Sequence, residues 1–324
     1  MNSNINWVSG LKFFGIIAVI LGHINSPLSS FIFSWHMPLF FMISGFFIKT
    51  DDNIKGLIFK DCKRLMIPYF IFSSLALGIT SLKLWALNRE ALTYSDELVA
   101  IFFWMDYKHL IETYAFVLWF LPALFFARIC YYIIMRNISN VLLQLCLFIL
   151  LFLISFQIQL PFALSNAMNS ALWIFIGSIL FSALERDNKV NFERYYPAFT
   201  LLFPIMIVVV IYTYWGIPKL DMSSLKYDNK IINVLWAVSL FLLFIHLLKQ
   251  YTDKKISYKL IEQWGRSTMI LFILHPYTNN ISHIIVEKLQ FGGWSLKLFI
   301  SLFLLQLLVM IKKHFSNRWI FKYV

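Results

Sequence analysis

Residues 12–23 read KFFGIIAVILGH, and residues 33–45 read FSWHMPLFFMISG. Both stretches are apolar runs with few polar side chains, which is the pattern of helices that lie in a membrane. Eleven residues of an α-helix turn through about 1100°, so Lys12 and His23 share one face and lie about 16 Å apart along the axis. The first stretch therefore predicts a cation and an imidazole on one face of an apolar helix.

The composition of the chain excludes a water-soluble protein. Of its 324 residues, 60% are hydrophobic and 14% are charged, whereas a soluble domain carries about a quarter charged residues. The 28 basic residues outnumber the 16 acidic ones, which suits lysines and arginines retained on the cytoplasmic side of a membrane and does not require nucleic acid as a partner. The three cysteines, Cys62, Cys130 and Cys146, have neither the spacing of a zinc site nor that of a disulfide framework, so we expect no metal.

Ten apolar runs approach the length of about 20 residues that crosses a hydrocarbon core. They are residues 9–27, 31–49, 64–82, 114–135, 139–158, 166–184, 198–216, 230–249, 267–287 and 293–312. An even number of crossings puts both termini on one side, and an inside N-terminus places 19 basic residues in cytoplasmic segments against 8 in external ones. We predict an all-α polytopic bundle in which residues 1–324 form one transmembrane domain with both termini cytoplasmic. The first run lacks a basic leader region and a cleavage site, so we expect a retained helix.

Three connections between these runs have features of their own. Residues 83–113 predict a partly ordered external loop with a short interfacial helix at 98–105, because the loop combines charged residues with an apolar piece and interfacial aromatics. Residues 216–230 predict a polar loop that either contacts an acceptor or only joins two helices. Residues 50–63 predict a basic amphipathic segment that leads into the third crossing.

Ionisable side chains at membrane depth are costly and are functional by default. Taken singly, a lysine near a helix start often only extends toward the headgroups, and a buried histidine is often only a packed residue. Two neighbouring apolar stretches together carry three such residues, Lys12, His23 and His36. Their combination favours the functional interpretation. Histidine has a pKa near neutrality and suits proton transfer, and lysine suits phosphate binding.

Three further motifs follow in the chain, KRLMIPY at 63–69, LWFLP at 118–122 and WGRSTMILFILHP at 264–276. Together with residues 12–45, they resemble the signature of the family-three membrane O-acyltransferases, especially the branch of sugar O-acetylases related to fucose 4-O-acetylase. The matches are spread over most of the chain. Two positions depart from the family pattern: the aspartate that commonly stands three residues before the basic residue is Ser9, and the basic residue itself is Lys12 where arginine is often found.

The resemblance implies a multi-pass enzyme of the inner (cytoplasmic) membrane that takes an acetyl group from acetyl-CoA. The acceptor implied is a hydroxyl of a surface polysaccharide or of its lipid-linked sugar precursor. Lys12 and Arg64 are then expected to bind the donor's phosphates, His23 to act as the general base, and His36 to act as a second base, an acceptor ligand or a stabiliser. Trp119 and His275 are the residues expected to contact the substrate, with Pro276 expected to break the ninth helix and free a carbonyl.

Other readings of the same residues stay open at this point. A transporter or flippase for a lipid-linked glycan also needs a polar path through a bundle, and a related enzyme could transfer fatty acyl chains in place of acetyl groups. An acyl-histidine intermediate is an alternative to direct transfer. The His-x4-Asp arrangement of glycerolipid acyltransferases is absent, because the positions five residues after His23 and His36, where the aspartate would stand, hold Leu28 and Phe41.

Overall fold

The computed structural model of the protein describes residues 6–48, 53–186, 198–252 and 259–314, and these residues are mostly helical. The helices, in chain order, are α1 (Asn6–Gly22), α2 (Ser29–Phe33), α3 (His36–Gly45), α4 (Ile54–Asp61), α5 (Ile67–Ala86), α6 (Tyr94–Val99), α7 (Tyr107–Leu110), α8 (Phe120–Asn137), α9 (Val141–Ile154), α10 (Leu164–Arg186), α11 (Phe203–Trp215), α12 (Lys230–Thr252), α13 (Lys259–Arg266), α14 (Thr268–Leu289) and α15 (Gly293–His314). Wider or tighter helical turns at Cys62–Met66, Ala100–Trp104, Tyr114–Trp119 and Ala198–Leu202 extend these helices.

Five of the described helical stretches are long and apolar enough to cross a membrane. They are Ile54–Ala86, Tyr114–Asn137, Leu164–Leu184, Lys230–Gln250 and Gly293–His314. Shorter apolar helices are present at Trp7–Gly22, Val141–Ile154 and Thr200–Trp215. The prediction of an all-α membrane protein is therefore confirmed.

The chain divides into two compact units, which are interleaved along the sequence. The first unit comprises the described residues within 1–40, 182–221 and 226–321, and the second those within 41–181 and 222–225. A single domain over residues 1–324 stays a prediction.

Several helices begin and end close to the predicted runs, for example α12 against 230–249 and α15 against 293–312. The first helix is shorter than predicted and ends at Gly22, not at residue 27. Asn25 takes the left-handed backbone conformation, with φ 57°, and Pro27 follows it. Asparagine is one of the few side chains that tolerate this conformation, so it ends the helix.

The second predicted crossing, 31–49, is wrong as a single helix, because the structure has two short helices, α2 and α3, in its place. The break lies at Ser34, whose hydroxyl donates to the carbonyl of Phe31 at 2.6 Å and accepts from Trp236 Nε1 at 2.8 Å. Pro38 lies in the first turn of α3, where its missing N–H leaves no intrahelical bond unmade. A side-chain contact from a residue 202 positions away thus helps to fix the break.

The two connections predicted as loops also contain ordered structure. The short helix predicted at 98–105 is confirmed by the turn Ala100–Trp104, which follows α6. The connection 216–230 was predicted as a plain polar loop, but it contains a hairpin of β1 (Leu220–Asp221) and β2 (Lys226–Tyr227). The two strands pair antiparallel. Strands of two residues carry too short a pattern for sequence reasoning to find.

In the second unit, α3 and α10 pack backbone against backbone. A Cβ atom on Gly45 would collide with the carbonyl oxygen of Ile174, and one on Gly177 would collide with that of Met42. Glycines at these two positions therefore allow the two helix backbones to approach closely.

Glu97 is a buried carboxyl group in the connection between the long helices Ile54–Ala86 and Tyr114–Asn137. Its side chain is in α6, is 7% exposed, and leaves Oε2 without a hydrogen-bond partner. Burial, followed by the charges of Glu112 and Asp96, raises the pKa of Glu97 above its usual value. The charged form is therefore less stable in the folded protein than in the unfolded chain.

Because this pKa is raised on folding, the folded state loses stability as the pH rises through it. We predict that Glu97→Gln raises the thermal midpoint of the detergent-solubilised protein at pH 8 by about 2 °C or more, and that this gain disappears at pH 4, where the glutamate is protonated. Glu90→Gln, an exposed residue of the same connection, is the matched control and should change neither value. An equal gain at both pH values would contradict the assignment.

Candidate functional site

The end of α1 carries the histidine that the sequence predicted as a base. His23 follows the last residue of the helix, and its backbone N–H still bonds the carbonyl of Val19 at 3.2 Å. Lys12 lies eleven residues earlier on the same continuous helix and is half-buried. The helix predicted to join Lys12 to His23 is therefore present, and its rise keeps the two about 16 Å apart along the axis.

His275 of α14 lies beside His23, with the two ring centroids 5.1 Å apart and the ring planes at 42°. The His23 side chain is exposed, whereas His275 is fully buried. Both residues belong to the first unit. Two imidazoles that are 252 positions apart in sequence thus meet at the end of α1.

Pro276 does not break the helix, and that prediction was wrong. Helix α14 continues from Thr268 to Leu289 with Pro276 inside it. Proline lacks the N–H that would bond the carbonyl of Phe272 four residues earlier. His275 Nδ1 lies 2.7 Å from this carbonyl oxygen and replaces the missing donor.

The same contact fixes the tautomer of His275. A carbonyl oxygen only accepts, so Nδ1 carries the hydrogen of the neutral ring, and Nε2 carries the lone pair. This Nε2 atom is buried and has no hydrogen-bond partner in the structure. A buried acceptor without a partner is costly, and it is suited to receive a hydrogen from a hydroxyl group that enters the site.

His36, at the start of α3, is held in the same way. Its Nδ1 lies 2.9 Å from the carbonyl oxygen of Ile32 near the end of α2, so Nε2 is again the nitrogen with the lone pair. Phe33 lies between the histidines, with its ring centroid 5.3 Å from that of His23 and 5.4 Å from that of His36. The first unit therefore gathers His23, His36 and His275 into what we call the histidine cluster.

Arg64 and Trp119 belong to the second unit. Arg64 lies in the wide turn Cys62–Met66 and is exposed. Trp119 is 5% exposed and packs edge-on against Phe120, with ring centroids 6.4 Å apart. The structure tests neither residue's predicted role, which stays a prediction.

Sequence reasoning missed a buried ion pair in the second unit. Arg128 of α8 donates from Nε to Asp61 Oδ2 at 2.6 Å and from Nη1 to Ser44 Oγ at 2.8 Å. Both charged residues are buried, and Asp61 Oδ1 has no partner. Arg128 is the one charged residue of the predicted run 114–135, and that signal could have identified it.

A second missed residue is Asn279, which lies one helical turn after His275 on α14 and is buried. The signal for it was a pair of polar side chains four residues apart in an apolar helix, which places both on one face.

The Arg128–Asp61 pair makes a stability prediction. We expect Arg128→Met to lower the free energy of unfolding by about 3 kcal/mol or more, because it leaves the Asp61 carboxylate buried without its counter-charge. The double variant Asp61→Asn with Arg128→Met should recover most of this loss. Thermal and denaturant unfolding in detergent would measure both, with the exposed Arg136→Met on α8 as control. A double variant as unstable as Arg128→Met alone would contradict the coupling.

The hydrogen bond from His275 to the Phe272 carbonyl leads to a second stability prediction. His275→Asn keeps a donor close to the position of Nδ1, so the Phe272 carbonyl stays bonded, whereas His275→Leu leaves that carbonyl buried and unpaired. We expect His275→Leu to be less stable than His275→Asn by about 1–3 kcal/mol. His283→Leu, at an exposed histidine of the same helix, should have little effect. Equal stabilities of the two His275 variants would show that the carbonyl does not need this donor.

The chain was compared with models of known protein families, with curated proteins and with solved structures. A family model described as an acyltransferase domain, that of acyltransferase family 3, matches residues 5–314. A search of curated proteins gives no match, and neither does a search of solved structures. The match covers nearly the whole chain and includes every residue of the histidine cluster, so the chain belongs to acyltransferase family 3 and carries a membrane O-acyltransferase domain.

Proposed function

We propose that this protein transfers an acetyl group from acetyl-CoA to a hydroxyl of a surface polysaccharide or of its lipid-linked sugar precursor. The observation that carries the proposal is the histidine cluster, in which two buried imidazoles have Nδ1 within hydrogen-bond distance of a carbonyl oxygen, so that Nε2 of the neutral ring can accept a hydrogen. Acyl transfer to a hydroxyl needs a group that removes the hydroxyl proton. The acetyl donor, the sugar acceptor and the fucose 4-O-acetylase-like branch come from the sequence resemblance.

In the proposed reaction, His23 accepts the proton of the acceptor hydroxyl as that oxygen attacks the thioester carbonyl. The new C–O bond forms, the C–S bond breaks, and the leaving CoA thiolate takes up the proton from His23. The products are the acetyl ester and CoA. His23 is assigned this step because it is the exposed member of the cluster, and an acyl-histidine intermediate is the alternative route.

The other members of the cluster are proposed to hold the acceptor. The Nε2 atoms of His36 and His275 carry lone pairs, so each can accept a hydrogen bond from a sugar hydroxyl. A sugar presents several hydroxyls, and a site with acceptors in fixed positions selects among them.

Lys12 is proposed to bind a phosphate of the donor. Its distance of about 16 Å from His23 along α1 is close to the reach of an extended pantetheine arm, so one end of CoA would lie at Lys12 while its thioester lies at His23. Arg64 is proposed as a second phosphate ligand and Trp119 as a substrate contact, both from the sequence resemblance.

We also propose ten crossings of the inner (cytoplasmic) membrane, with both termini cytoplasmic. The distribution of basic residues along the sequence supports this orientation. In this topology α2 and α3 together make the second crossing, as one broken helix.

The proposal predicts that His23→Gln loses acetyl transfer by about a hundredfold or more, since a general base contributes at least that factor. Transfer of labelled acetyl from acetyl-CoA to isolated cell glycans by purified protein would measure it, with the thermal midpoint as a check of folding. His283→Gln, a histidine of α14 outside the cluster, is the matched control and should keep its activity.

Mass spectrometry of surface glycans from cells that carry each variant gives the same comparison in the membrane. A His23→Gln strain with unchanged glycan acetylation would overturn the proposal. Loss of the glycan itself from the surface, with the acetylation of the remaining glycan unchanged, would instead support a transporter. Thermal protection by a long-chain acyl-CoA but not by acetyl-CoA would assign a different donor.

A further inference from the structure

Asn279 connects α14 to the last turn of α1. Its Nδ2 donates to the carbonyl oxygen of Ile20 at 3.2 Å. Asn279 and His275 are four residues apart on α14 and therefore share a face. One face of α14 thus contacts the end of α1 twice, through the ring of His275 and through the amide of Asn279.

The Ile20 carbonyl needs this donor because α1 ends beside it. In a continuing helix the N–H of Ile24 would bond Ile20, but here it lies 3.4 Å from the carbonyl of Leu21. The last carbonyls of a helix have no partner within the helix. Asn279 supplies one at the turn that bears His23.

The amide of Asn279 is held in one orientation. Because the Ile20 carbonyl only accepts, Nδ2 faces α1, and Oδ1 faces α15, where Ser301 Oγ donates to it at 2.6 Å. Thr278 Oγ1 lies 2.8 Å from Ser301 Oγ. Ser301 is fully buried, so water does not compete for these bonds. The hydrogen bonds that join α15, α14 and α1 are therefore made by groups with few other hydrogen-bond partners.

We propose that Asn279, oriented by Ser301, is a positioning residue for His23. It fixes the last turn of α1 so that the His23 ring stays beside His275. This inference rests on the proposed function, in which His23 is the base. Small displacements of a reacting group lower the rate strongly, by up to about a hundredfold for 1 Å, and a positioning residue acts on that displacement without contacting the substrate.

The test uses two variants, Asn279→Leu and Ser301→Ala, and one control, Ser282→Ala. Leucine is similar in size to asparagine but has no amide. Ser282 is also fully buried, but its hydroxyl donates at 2.8 Å to the Asn279 carbonyl within α14 and does not reach α1. We expect Asn279→Leu to lower kcat by about tenfold or more with KM for acetyl-CoA unchanged. Ser301→Ala should lower kcat in the same direction, and Ser282→Ala should leave it unchanged.

A second measurement reads the position of His23 without acyl transfer. Diethyl pyrocarbonate modifies neutral imidazoles, and mass spectrometry of the peptide that contains His23 gives its rate of modification. We expect this rate to rise in Asn279→Leu and in Ser301→Ala, because the His23 ring leaves its contact with His275, and to stay unchanged in Ser282→Ala.

The two readouts separate the failure of this inference from that of the proposed function. An unchanged modification rate and kcat in Asn279→Leu would overturn the positioning role, as would an equal effect of Ser282→Ala. If the unaltered protein transfers no acetyl group, the proposed function fails, and the modification rate alone then decides whether Asn279 positions His23. If Asn279→Leu does not fold, the comparison of Ser301→Ala with Ser282→Ala decides it in the same way.

Discussion

The hydrogen bond from His275 Nδ1 to the Phe272 carbonyl determines what chemistry the buried ring can offer. Pro276 removes the backbone donor of this carbonyl, and a buried carbonyl without a donor costs about 1–3 kcal/mol. The imidazole 2.7 Å away removes that cost and thereby keeps its hydrogen on Nδ1 and its lone pair on Nε2. Two adjacent residues, His275 and Pro276, thus produce both a carbonyl without its backbone donor and an imidazole that is held by that carbonyl.

All three histidines of the cluster lie where a helix is irregular. His23 follows the end of α1, His36 begins α3 after the break at Ser34, and His275 precedes the proline of α14. In a regular helix each backbone carbonyl already accepts from the N–H four residues later, although a side chain can share it. Pro276 leaves the Phe272 carbonyl without that N–H, and His36 bonds the Ile32 carbonyl at the break between α2 and α3, so both buried imidazoles are held at irregular turns.

The sequence predicted the helices and the residues of the candidate site better than it predicted the contacts between them. Apolar runs predicted the long helices because length and hydropathy are local properties. The cost of ionisable residues in an apolar helix pointed to His23 and His36, and the family resemblance added His275. Contacts between distant residues have no local signal, so sequence reasoning missed the donor from Trp236 at the break in the second predicted run, and it missed the Arg128–Asp61 pair. Pro276 was taken as a helix breaker, because the rule for proline does not include a neighbouring histidine that replaces the lost donor.

The two units keep ionisable side chains in apolar surroundings in different ways. In the second, Arg128 and Asp61 neutralise each other at 2.6 Å, and pairing commits the charge of each to its partner. In the first, the Nδ1 atoms of His36 and His275 lie within hydrogen-bond distance of carbonyl oxygens, so in the neutral ring Nε2 keeps a lone pair that this bond does not use. Proton transfer needs such a lone pair, so we propose the chemistry at the histidine cluster and a structural role for the ion pair.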